Sequence, residues 1–141
     1  MPLLEKQAVN IIHPDLASSG GILETKKIGD LAQEHGIAMA MHMAGSPISA
    51  LANVHCAAAS ENFLVLENHS VDRPDWNALV TGLPDPLIQD GAIQVPEKPG
   101  LGFDSINEDM VRKYLDPLDP VYFDQPTDDW SVERANDRLW S

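Results

Sequence analysis

Three short apolar runs, residues 9–13 (Val-Asn-Ile-Ile-His), 37–43 (Ile-Ala-Met-Ala-Met-His-Met) and 63–67 (Phe-Leu-Val-Leu-Glu), are separated by two stretches of helical periodicity, and this alternation constrains the fold more than any other feature. In the first intervening stretch, residues 22–35, Ile22, Ile28, Leu31 and Ala32 recur at roughly helical spacing among Glu24, Lys26, Lys27, Asp30 and Glu34. A Ser-Ser-Gly-Gly loop precedes it and Gly36 is its expected stop. The second begins where Ser46 can cap a helix with Pro47 at its first position and runs to about Ser60, with Ile48, Leu51, Ala52, Cys56 and Ala59 placed for burial. Strands alternating with helices predict crossover connections and a parallel sheet, hence the α/β class.

Each apolar run ends in a polar residue with chemical potential. Asp15 follows the first, His42 closes the second and Glu67 the third, with 27 residues from Asp15 to His42 and 25 from His42 to Glu67, about one βα unit each. Equivalent positions in successive units lie side by side, and α/β sheets bind ligands at the carboxyl ends of their strands, so these three residues are predicted to converge. Alternation within the second run sends Met39, Met41 and Met43 to one face as core packing and Ala38, Ala40 and His42 to the other. Taken singly, Asp15 is a turn residue and His42 a histidine that ends a core strand; their spacing is what favours a functional pair.

The other histidines carry weaker signals. His13 shares a strand face with Asp15 and could line the cavity, but is expected rather to be packed or satisfied by solvent, and His55 falls in an alanine-rich helix and reads as structural. His35 suits a helix C-terminus, whereas His69, two residues beyond Glu67, is a candidate for touching substrate. No arrangement of histidine, cysteine and carboxylate matches a closed zinc spacing, and Cys56, the only cysteine, is expected to be a small buried side chain.

Beyond Glu67 the pattern changes. A polar loop leads to an expected short helix over residues 76–81. Residues 87–95 read as a hairpin about Asp90-Gly91, residues 99–102 as a tight loop, and residues 107–115 as a helix capped by Asn107. From residue 116 the chain is rich in Asp and Pro with Tyr122, Phe123, Trp130 and Trp140 scattered through it, a tail expected to drape over a surface or stay mobile. Three segments are therefore expected: residues 1–81, residues 82–115 and residues 116–141. A net charge of −13 with only nine Lys plus Arg argues against nucleic acid or anionic membrane as partner. With no signal-peptide pattern, a cytoplasmic location is expected.

Over roughly residues 5–115 the sequence resembles the carboxyl-terminal part of the enolase superfamily, in its mandelate racemase and sugar-acid (galactonate-type) dehydratase branch. The resemblance runs through Pro14-Asp15, the Ser-Gly-Gly-Ile of 19–22, Lys27-Ile28, His35-Gly36, His42, Ser46-Pro47, Asn62-Phe63 and Glu67, then Gln89-Asp90-Gly91, Val95-Pro96 and the Pro-Gly-Leu-Gly of 99–102. It implies the last three βα units of a TIM-type (β/α) barrel, enolase C-terminal domain-like, followed by a hairpin and C-terminal extension.

The chemistry it implies begins with removal of the proton next to a carboxylate, with Mg²⁺ and hydrogen-bond donors holding the enediolate. His42 would be the general base, Asp15 would orient it, and Glu67, protonated, would donate to the enediolate. The substrate would be a small sugar acid or α-hydroxy acid and the whole enzyme a homo-oligomer. A dehydratase is the reading adopted; the alternatives are a racemase or epimerase of α-hydroxy acids, and a non-catalytic barrel remnant or split-barrel subunit. In this family the acidic Mg²⁺ ligands precede the strand that ends at Asp15, so no metal ligand is expected among these residues, and the 141-residue chain alone is expected to be inactive.

Overall fold

A computed structural model describes residues 2–70 and 72–115; the expected tail from residue 116 lies outside the described residues. By chain contacts the chain divides into Met1–Asn107 and a second unit beginning at Glu108. In the first unit, helix α1 (Pro2–Glu5) leads to strand β1 (Ile11–Ile12), helix α2 (Gly21–Glu34), strand β2 (Ala38–Met41), helix α3 (Pro47–Ala58) and strand β3 (Phe63–Leu66). The strands form one parallel sheet in the order β1-β2-β3. A parallel three-stranded sheet with a helix in each crossover is what the alternation of apolar runs predicted.

The two faces of β2 divide as expected. Met39, Met41 and Met43 are almost fully buried, whereas Ala38, Ala40 and His42 keep partial exposure on the other face. Met39 and Met41 pack with Leu16, Ala52 and Cys56, and Met43 packs with Ala50, Leu51, Trp76 and Leu87. Unbranched methionines fill such irregular inter-element gaps well.

Helix α2 differs from the expected pattern. Its buried positions are Thr25, Gly29 and Ala32, while Ile22 and Leu23 are exposed. The reason is close approach: a Cβ at Gly29 would lie 3.1 Å from Met39 Cε, so the helix meets the sheet through its smallest face. The start of α3 also departs in detail. Ser46 occupies the N-cap with extended backbone and Pro47 follows, but the serine side chain makes no capping bond. Its carbonyl instead accepts the Ala50 N–H at 3.0 Å. At the far end Ala59 is exposed rather than buried.

After β3, the expected 76–81 helix is a single 3₁₀ turn, Asn77–Leu79, running into strand β4 (Val80–Thr81), which pairs antiparallel with β5 (Ser105–Ile106). The carbonyls a helix would use are taken by the pairing: Asn107 N–H donates to Leu79 O and Asp104 N–H to Thr81 O, at 3.0 and 2.8 Å. The expected hairpin contracts to one turn. Gln89 and Ala92 exchange two 2.9 Å backbone bonds around Asp90 and Gly91, both with positive φ, and no longer ladder follows. In the second unit, helix α4 (Glu108–Lys113) is shorter than the expected 107–115. Its end tightens to i→i−3 bonds from Tyr114 and Leu115 to Val111 and Arg112.

Two features of β3 matter below. Its apolar side chains stay open, with Leu64 and Val65 56% and 51% exposed, beside a groove of about 580 Å³ lined by residues including Met43, Val54, Leu66 and Ile93. Its entry is held by Asn62, whose Nδ2 donates to Gly29 O at 3.0 Å and to Ile37 O at 2.9 Å, tying α2 and the start of β2 to β3. Asn62→Ala is expected to lower the unfolding free energy by about 1–3 kcal/mol, because two carbonyls lose their donor. A chemical-denaturation midpoint indistinguishable from that of the parent chain would show that the tie contributes nothing.

Candidate functional site

The sheet register builds the site. Ile11 and Ile12 pair with Ala38 and Met39, and the same parallel phase is resumed past β1, where Asp15 and His42 form an isolated bridge and His42 N–H donates to Pro14 O at 3.0 Å. On the other side a register shift at Met39 and Ala40 brings Met41 opposite Leu66, and Glu67 N–H donates to Met41 O at 2.9 Å. Asp15, His42 and Glu67 thus stand in a row at the carboxyl ends of adjacent strands, as their spacing predicted.

The side chains complete the row. His42 Nδ1 lies 2.5 Å from Asp15 Oδ2, and Ala17 N–H donates to Asp15 Oδ1 at 2.7 Å. His42 Nε2 faces Glu67 Oε2 at 3.6 Å. His69, the expected substrate contact, places Nε2 2.6 Å from Glu67 Oε1. His13 stays half exposed to solvent, yet it also lines the cavity beside His42. Its Nδ1 is 2.8 Å from Ala40 O and its Nε2 3.1 Å from Glu67 Oε2, with its ring edge-on to His42 at 5.3 Å. The available signal was its position two residues before Asp15 on the same strand face, opposite the small side chain of Ala40. His55 Nε2 donates to Leu101 O at 3.3 Å, in keeping with its structural reading.

The family described as Enolase C-terminal domain-like matches residues 1–110. The chain belongs to this family. It is 49% identical over 113 residues to D-xylonate dehydratase of Haloferax volcanii, covering 80% of this chain and 27% of that protein. It is 32% identical over 125 residues to D-gluconate/D-galactonate dehydratase of Picrophilus torridus, covering 88% and 31%. Among solved structures, a mandelate racemase/muconate lactonizing enzyme-like protein from Rubrobacter xylanophilus superimposes with a TM-score of 0.77 at 37% identity, over 83% of this chain and 29% of the other. An enolase from Pantoea ananatis with bound D-gluconate and Mg gives 0.70 at 31% identity, over 82% and 28%. The chain spans under a third of the length of these relatives. The enolase superfamily, in its galactonate-type branch, is therefore the family expected from the residues themselves.

Electrostatics in this enolase-family site favour ionised carboxylates. Burial pushes the Asp15 carboxyl up, but the hydrogen bonds from His42 and Ala17 and the His42 charge outweigh it, leaving Asp15 below its ordinary value. For Glu67 the hydrogen bond with His69 is the largest influence and also lowers it; partial burial opposes, and the charges of His69 and His42 and the bond with His13 add to the lowering. A protonated Glu67, implied by the resemblance, is therefore not the state these neighbours support. Burial pushes the Cys56 thiol up, away from thiolate reactivity.

The cluster does not fit Mg²⁺. That ion seeks near-octahedral oxygen ligation, whereas here two imidazole nitrogens accompany one carboxylate oxygen, and both carboxylates are already engaged by histidines. Among the described residues no cross-membrane helix occurs, since none is long and apolar enough.

Because the folded-state values of Asp15 and Glu67 are depressed, their contribution to stability is fully present above their ordinary values of 3.8 and 4.5 and is lost as pH falls through the folded-state values. The melting temperature of the parent chain is expected to fall steeply below about pH 4.5, and that of Asp15→Asn less steeply over the same window. Parallel curves for the two proteins would show that Asp15 carries none of the dependence.

Proposed function

We propose that this chain supplies the proton-abstracting half of a Mg²⁺-dependent sugar-acid dehydratase, a hydro-lyase. The observation that carries the reading is the Asp15–His42–Glu67 row at the strand ends, with His42 anchored through Nδ1 and its Nε2 facing Glu67 across 3.6 Å. In the neutral ring, Nδ1 carries the proton donated to Asp15 and Nε2 keeps a lone pair, the condition for a general base. His42 removes the proton from C2 of the acid; Asp15 holds the ring in this tautomer and stabilises the imidazolium that forms. The enediolate then expels the 3-hydroxyl, which leaves as water with the proton returned from the His42 imidazolium, and the enol product tautomerises to a 2-keto-3-deoxy acid. Glu67 lines the carboxylate side of this site, where exclusion of water and an approaching substrate carboxylate would favour its protonated, donating form over the ionised one. His69, on the other Glu67 oxygen, is placed to contact substrate.

The names of the relatives support sugar acids as the substrate class, and gluconate bound in the Pantoea ananatis enolase agrees with it. The Mg²⁺ used by that family is assigned to residues outside those described here. Residues 1–81 are read as the last three βα units of the (β/α) barrel, and the apolar, two-sided exposure of β3 favours continuation of the sheet beyond it, since parallel strands are buried on both faces. A soluble homo-oligomer in the cytoplasm, with no nucleic acid or membrane partner, completes the proposal.

The test is a chimera in which this chain replaces the matching segment of a homologous dehydratase. His42→Asn in that protein is expected to suppress exchange of the substrate C2 proton with solvent by about 10²-fold or more. Exchange at a near-normal rate would remove His42 from the role of base.

A further inference from the structure

We propose that His13, His42 and Glu67 form a binding site for a divalent transition metal of the zinc type, separate in ligand chemistry from the Mg²⁺ of the family. A carbonyl oxygen can only accept, so His13 Nδ1, 2.8 Å from Ala40 O, must donate. The His42 Nδ1 likewise donates to the Asp15 carboxylate. In the neutral rings both Nε2 atoms therefore present lone pairs, and they present them to the same Glu67 oxygen, at 3.1 and 3.6 Å. With both rings neutral these three atoms are all acceptors, and a shared cation can take the place that a second proton on either ring would otherwise fill.

The supporting shell has the form that metal-binding histidines require. Each ring is fixed through its other nitrogen, one by a backbone carbonyl and one by a carboxylate, which sets tautomer and direction before any ion arrives. The spacing is close to sufficient. Donors around a tetrahedral zinc ion sit about 3.4 Å apart, and no two of these three atoms are more than 4.8 Å apart, so only the two imidazoles need to close. Two imidazoles and one carboxylate form a donor set typical of zinc and related borderline ions and leave coordination positions for water or a ligand carboxylate. His69, already on the second Glu67 oxygen, lies beside the site with its ring 5.9 Å from that of His42. An ion held here occupies the lone pair of His42. Resting on the base assignment above, it would be a competitive block of proton abstraction.

The experiment uses the untagged 141-residue chain, freed of metal, titrated with Zn²⁺ by calorimetry and with Co²⁺ by visible absorption. Expected are saturable binding of a single ion per chain, weakening by at least about tenfold in His13→Ala, Glu67→Gln and Asp15→Asn, no change in His35→Ala, and no displacement by excess Mg²⁺. If His13→Ala loses its circular dichroism signature, His13→Gln provides the same comparison. Absence of saturable Zn²⁺ binding in the parent chain, or binding that survives both the His13 and Glu67 substitutions, would overturn the site. Neither result touches the exchange experiment on His42, which needs no transition metal, so failure of the metal site and failure of the base assignment are told apart.

Discussion

Backbone pairing between Asp15 and His42 is the contact on which the rest of the site depends. It extends the β1–β2 register past the formal strand ends and sets the carboxylate against the imidazole, so their 2.5 Å bond follows from the sheet and not from loop conformation. A one-residue slip in a parallel pair would turn one partner to the opposite face. Burial of Met39, Met41 and Met43 guards against that slip, because any other phase would bring the methionines to the open side.

The same division of β2 explains why the site can be polar and crowded. With bulk confined to the methionine face, the other face offers only Ala38 and Ala40 before His42, and His13 reaches the Ala40 carbonyl across that space. Five ionisable side chains then surround one another: Glu67 with three histidines on it, and Asp15 behind His42. Each carboxylate is steadied by imidazole, which accounts for the depressed Asp15 and Glu67 values despite opposing burial. Whether Glu67 carries a proton is thus a property of what else closes over it. On the exposed face of this chain, with its side chain 34% accessible, its neighbours favour the anion.

Strand β3 marks the other boundary of the structure. It is apolar along its whole length, as a strand covered on both sides would be, yet Phe63, Leu64 and Val65 are open. Asn62 secures its entry, and Trp76, donating from Nε1 to Gly45 O at 2.8 Å, clips the chain after β3 back onto the start of α3. The strand is therefore held at its ends while its outer side stays open.

Much of this was legible in the amino-acid order alone. Periodicity determined the α/β alternation, the parallel sheet, the methionine face of β2 and the convergence of Asp15, His42 and Glu67, because these follow from fixed geometric periods and from equal positions in successive βα units. Local signals failed where tertiary contacts compete with them: Gly29 rather than Ile22 faces the core because α2 approaches Met39 closely, and residues 80–81 form a strand because β5 takes their bonds. The place of His13 was decided only by the tertiary structure. Its ring meets Glu67 across the full width of the three-stranded sheet, 54 residues away in sequence, and no periodicity along one strand can report which side chains from two others share its space.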